Sequence, residues 1–260
     1  MKVVIYDLTI IQNLFGPSKK VLNGLPNAVT IEEIEEDVLY DVQTYTEKIC
    51  RFEEVCFNWE LKRASIVLNK RFNGYNSSAR VLLDAGFSLH AAKIEVYRGL
   101  NNVEELEKQY TYCSIEEALS EKEFKYIWKQ CMLNSGNQTS ILTIDEHFYS
   151  VQTELGKGWE KSCIVFYDKN EPIGMSIPHI ESGTESEGRL FYFGVMPYCR
   201  GKGIASQLHL QSLHMLKEMG ATYYIGSTHT SNEKMQRIFW RNNCLLKTEI
   251  ELYYKIFNEG

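Results

Sequence analysis

Val195-Met196-Pro197-Tyr198-Cys199-Arg200-Gly201-Lys202-Gly203-Ile204-Ala205 is the stretch on which the reading of this chain turns. Ahead of it, Arg189 to Val195 is apolar enough to be a central strand, and Pro197 ends it. Behind it, Gly203 to Met219 carries Ile204, Leu208, Leu213 and Leu216 on or near one inner stripe and stops at Gly220, which predicts a helix. A strand that turns through two glycines into a helix N-terminus makes an anion site. The glycines admit a close backbone approach, the free N–H groups point outward, and Arg200 and Lys202 add positive charge. The same letters could make only a tight turn with two solvated cations. The turn is not a Walker loop, because no Gly-Lys-Ser/Thr ends it, and it lacks the third glycine and downstream acid of a dinucleotide fold.

In this context the stretch resembles motif A of the GNAT superfamily of acyl-CoA-dependent N-acyltransferases. Arg200, Gly203 and Ala205 stand on the motif's Arg/Gln-x-x-Gly-x-Gly/Ala positions, and Val195-Met196-Pro197 precedes them as the family's Val-x-Pro does. Asn232 opens a later helix, as the family's cofactor-side asparagine does, so the resemblance covers roughly residues 110 to 260. It implies an α+β, three-layer fold whose central mixed, mostly antiparallel sheet has a V-shaped splay between two parallel strands. It implies acetyl-CoA as cosubstrate, with pyrophosphate on the N–H groups of Gly201, Lys202, Gly203, Ile204 and Ala205 and pantetheine on the backbone at Val195. A backbone N–H near Val195 would stabilise the oxyanion, and a neutral amine would attack directly.

The chain departs from the family at the end of that later helix. Seven residues after Asn232, where many members place a proton-donating tyrosine, stands Phe239, which the resemblance sets beside the CoA sulfur; the usual Gly-Phe is replaced by Asn243-Cys244, with Asn243 as a left-handed cap. A thiolate can depart without a strong acid, and water or another hydroxyl could serve as donor; Tyr192, Ser227, Tyr253 and Tyr254 are candidates by strand position. Leu190 to Val195 has no carboxylate to act as base; His229, His179 and Glu181 stand near strand ends, and His229 titrates in the useful range. His229, Tyr192 and Ser227 are the favoured catalytic set.

Outward from the motif, strands are expected at Tyr112–Ser114, Ser162–Tyr167, Ile173–Ile177, Thr222–Gly226 and around Leu252-Tyr253-Tyr254. Asp168-Lys169-Asn170-Glu171 should make a hairpin turn. Helices are expected from Glu116 to Leu133, Asp145 to Leu155 and Asn232 to about Asn242. In the first half, Ala64–Leu68 reads as a strand and Asn76 to Gly86-Phe87 as a helix, a faint repeat of Ala221–Ile225 and the Asn232 helix. A helix from about Val38 to Leu61 follows Glu32-Glu33-Ile34-Glu35-Glu36-Asp37, which would repel pyrophosphate and also suits a helix N-terminus. The expected division is therefore a degenerate GNAT-like α/β domain over 1–105, without a cofactor loop, and an acetyl-CoA-binding domain over 106–260.

Hydrophobic and charged fractions of 44% and 24% are ordinary for a globular protein, and five prolines leave little room for a long linker. The formal charge of −6 argues against partnership with nucleic acid or anionic membrane. Seven scattered cysteines, without C-x-x-C or zinc spacing, read as reduced thiols; with no signal-peptide layout at Met1–Asp7 they point to the cytoplasm and to no metal. The function expected is an N-acetyltransferase acting on a primary amine of a small molecule or peptide, a homodimer being possible. The alternative is a non-catalytic acyl-CoA-binding module.

Overall fold

The structure, a computed structural model, describes residues 5–16, 19–33, 41–106, 109–137, 140 and 142–257. Ile34–Asp37 of the acidic run, the expected helix start at Val38 and the first four residues lie outside them. The chain forms two compact units, one of Met1–Ile94 with Thr248–Gly260, the other of Glu95–Lys247. This differs from the expected division at 105 in two ways. Residues just after Ile94 join the second unit, where Tyr97 stacks on Tyr223 at 5.8 Å and the Leu100 N–H meets the Thr222 carbonyl at 2.8 Å. The last strand pairs with the first unit instead of closing the second.

The first unit contains α1 (Leu8–Phe15), β1 (Lys20–Gly24), β2 (Ala28–Glu33), α2 (Val42–Asn58), β3 (Arg63–Asn69), α3 (Tyr75–Asp84), the start of β4 (Ser88–Gly99) and the end of β10 (Leu245–Ile256). β1 and β2 make an antiparallel hairpin. β2, α2 and β3 form a parallel crossover, paired without a break from Ala28↔Arg63 to Glu33↔Leu68. β10 closes the other side of β3 in antiparallel register, Asn69↔Ile250 to Arg63↔Ile256. Alternate strand residues and one face of each helix bury Ile31, Ile66, Phe52, Tyr45 and Leu82 in a common core. A polar knot ends it: the buried Glu251 carboxylate accepts the hydroxyls of Tyr75 and Tyr253 and pairs with Lys70 at 3.3 Å.

The second unit runs through β5 (Thr111–Ser114), α4 (Glu121–Met132), α5 (Ile144–Leu155), α6 (Trp159–Ser162), β6 (Ile164–Asp168), β7 (Glu171–Ile180), β8 (Glu187–Val195), α7 (Ile204–Glu218), β9 (Tyr223–His229) and α8 (Glu233–Arg241). Its strands stand in the order β9-β8-β7-β6-β5. The β6–β7 turn forms as expected, with Lys169 and Asn170 both at positive φ, 53° and 68°, and Asn243 takes the left-handed cap at 53°. α4 starts later than Glu116 because Ser120, whose hydroxyl accepts the Glu123 N–H at 3.2 Å, is its N-cap. Phe124, Ile127, Trp128 and Cys131 then recur on one face and pack on Met175 and Ile177 of β7. On α7 a fully buried histidine, His209, sits among Phe193, Tyr224 and Phe239, its Nδ1 accepting from the Asn242 amide at 2.8 Å. Burial holds that imidazole neutral, its pKa lowered to about 3.

Candidate functional site

β8 and β9 are parallel, yet they pair only at Glu187↔Tyr223 and Gly188↔Tyr224 among the described residues. Beyond those residues the strands part. On its other side β8 stays bonded to β7 except at one bulge, where Phe191 and Tyr192 together oppose Ile177. The Met196 N–H goes to the Ile173 carbonyl of β7 at 3.0 Å, so strand alternation turns the Val195 N–H and C=O away from β7, and the carbonyl accepts from Arg200 Nε at 3.1 Å. Past Val195 the chain enters the two-glycine turn. Gly201 and Gly203 take φ of 76° and 79°, and no atom lies within 4 Å of where either Cβ would be. Gly203 is the N-cap of α7 and offers no side chain to it, which leaves the first N–H groups of the helix for a ligand.

Residues 117–242 match the acetyltransferase (GNAT) family. The matching segment spans α4 through α8. No curated protein matches the chain. Among solved structures, a GCN5-related N-acetyltransferase from Sphaerobacter thermophilus superposes with a TM-score of 0.67 at 14% identity, over 93% of this chain and 77% of that one. A GCN5-related N-acetyltransferase from Kribbella flavida gives 0.54 at 12%, over 96% and 93%. A tandem GNAT protein from the clavulanic acid biosynthesis pathway gives 0.55 at 10%, over 93% and 79%. At such identities the likeness is one of fold, an α+β GNAT fold with a mixed, unclosed sheet.

A cavity of 610 Å³ lies against the last residues of β8, between the two-glycine turn and α8. Tyr192, a candidate by its strand position, lines it together with Val195, Arg200, Gly201, Gly203, Ala205 and Asn232, which were named from the motif resemblance. Arg200, however, does not hold its charge free. Its guanidinium donates to the carbonyls of Val195 at 3.1 Å, Cys131 at 3.0 Å, Leu133 at 2.7 Å and Asn134 at 3.0 Å, tying the end of α4 to the turn. Lys202 and Ile204 are outside the lining; Lys202 is exposed and Ile204 packs on the core.

Phe239 requires a correction. It is 1% exposed and faces His209 and Tyr224 in the core, because α8 turns Met235 and Ile238 to the cavity and the next position lies about 100° further round the helix. Ser227 and His229 are also absent from the lining. Ser227 is exposed on β9, and His229 Nδ1 is occupied by the Ser231 hydroxyl at 2.6 Å and N–H at 3.2 Å. His179 and Glu181 pair with each other at 3.4 Å at the far end of β7. Tyr253 and Tyr254 belong to the first unit.

Of the three favoured catalytic residues, only Tyr192 reaches the cavity wall. Its hydroxyl is buried without a hydrogen-bond partner, and its ring lies beside Trp128 at 5.2 Å. Burial raises the phenol pKa well above its ordinary value; the neighbouring Cys131 thiol adds to this, and Arg200 opposes it. The ring folds over Gly194, where an added Cβ would come within 2.8 Å of both Tyr192 and Cys131. No Asp, Glu or His among the described residues lines the cavity.

Two walls were missed by sequence reasoning. One is Asn134–Asn137, the polar stretch after α4. The other is a face of α8 bearing Lys234, Arg237 and Arg241. Arg237 pairs with Glu233 at 2.9 Å, whereas Lys234 and Arg241 have no ion-pair partner among the described residues. Their spacing of three and four residues is a helix-face signal that the sequence does display. Among the described residues no cluster of His, Cys, Asp or Glu could hold a metal, and no helix is long and apolar enough to cross a membrane.

Proposed function

We propose that the protein is an acyltransferase that takes acetyl-CoA in the β8–β9 gap and passes the acetyl group to a primary amine of a small molecule or peptide. The observation that carries this is the gap itself: an unpaired β8 edge leads to a two-glycine turn whose N–H groups are open, beside a wall bearing unpaired cations. Such a site fits a ligand that is peptide-like at one end and phosphorylated at the other. Gly201 to Ala205 would hold the pyrophosphate, the Val195 backbone the pantetheine, and Lys234 and Arg241 further phosphate charge.

Bound acetyl-CoA supplies an activated acyl group. Transfer forms an amide and releases a thiol, so one proton must leave the amine and one must reach sulfur. We assign the second to Tyr192, which lines the cavity and is kept protonated by burial. With no carboxylate or imidazole on the wall among the described residues, the acceptor reacts from its own neutral fraction, and the rate should rise with pH through the amine's pKa. That missing base also supports a second reading, a module that binds acyl-CoA without turning it over. Titration with acetyl-CoA followed by turnover against an amine panel separates the two.

The first unit should contribute no second site, because β2 and β3, its own parallel pair, are zipped along six residue pairs and leave no gap for pantetheine. One acetyl-CoA per chain is therefore expected by calorimetry. Gly203→Asp should abolish it, placing a carboxylate where the anion binds and a Cβ at φ 79°. Unaltered affinity in a folded Gly203→Asp protein would place the site elsewhere.

A further inference from the structure

We propose that Asn232 is a positioning residue that clasps the Asn134–Asn137 stretch over the cavity, and that this fastened strap is a wall the acyl-CoA slot needs for tight binding. The inference rests on the acyltransferase reading above. Asn232 is 5% exposed. Its carboxamide oxygen accepts the Met235 N–H at 3.1 Å and so caps α8, while its amide donates to the Asn137 side chain at 3.0 Å. The strap lies directly against this amide at Gly136, where any Cβ would run into the Asn232 carboxamide. At the strap's other end Arg200 holds the carbonyls of Cys131, Leu133 and Asn134. The stretch from Cys131 to Asn137 is thus pinned at both ends by residues that also frame the phosphate turn and the cationic helix.

Pinning matters because a polar, glycine-containing stretch would otherwise have to be ordered by the ligand, and that ordering weakens binding. A clasp made beforehand removes the loss.

The cap and the clasp can be separated. Asn232→Ser keeps a capping oxygen for α8 but is too short to reach Asn137, and Asn137→Ala breaks the same bond from the strap side without touching the cap. Each change should raise the Kd for acetyl-CoA about three- to tenfold, the range of one net hydrogen bond. The double variant should bind no worse than the weaker single, since both remove one bond. In ligand-free protein, amide exchange over residues 133–137 should quicken in all three. Single variants that bind within twofold of wild type, or effects that multiply in the double, would overturn the clasp. So would exchange that stays slow in Asn137→Ala. A wild-type protein that takes no acetyl-CoA at all would instead sink the acyltransferase reading.

Discussion

A buried hydroxyl without a partner costs free energy, and Tyr192 bears that cost at the cavity wall. Removing the oxygen relieves the unpaired group, so Tyr192→Phe should melt no lower than wild type and should leave the acetyl-CoA Kd within twofold. If the hydroxyl is the proton donor to sulfur, kcat should nonetheless fall about 10- to 100-fold, the lower part of the range for a positioned general acid. An unchanged kcat across pH would remove Tyr192 from the mechanism. The count from Asn232 sets Phe239 where many members of the resembled family carry a tyrosine, but a count fixes a place along a helix and not the side from which its neighbours press. His209 and Tyr224, far off in sequence, draw Phe239 into the core. Tyr192 could be named from its strand, whereas its lack of a partner depends on Trp128 and Cys131 of α4 and could not.

Among the elements, α8 offers the clearest test of the cofactor's charge. Replacing both Lys234 and Arg241 by alanine removes two exposed cations that have no ion-pair partners among the described residues, so thermal stability should hardly move. Affinity for acetyl-CoA should drop roughly tenfold at low salt, with a flatter dependence of Kd on ionic strength than in wild type. An equal salt slope in both proteins would mean that this face does not meet the phosphates. Strands such as β6 and β7 were legible because apolar runs end at turn residues that tolerate positive φ, Lys169 and Asn170 here. β1 escaped notice because Lys20-Val21-Leu22-Asn23-Gly24 is almost wholly exposed and shows no buried face. The V-shaped gap was expected only through the family resemblance. Its cause, two residue pairs of β8–β9 register against six in β2–β3, is a property of pairing that no single strand's letters contain.

For the molecule as a whole, the neutral His209 ties stability to pH. Its folded pKa of about 3 lies below the ordinary value, so between that point and about 6.5 the unfolded chain binds the extra proton and folding weakens as pH falls. From pH 7 to pH 5 this amounts to about 2 kcal/mol, which urea unfolding of wild type and His209→Gln at the two values should show as a steeper loss in wild type. Parallel losses would mean that the imidazole is not the group responsible. The division of the chain has a different consequence, one of timing. β3 gains its second neighbour only from Ile250–Ile256, which follow the whole of the second unit in the chain. Until those residues leave the ribosome, the first unit has an open strand edge. Its sheet therefore cannot be completed before the second unit has been translated, and in that interval it presents an edge on which another nascent chain could pair.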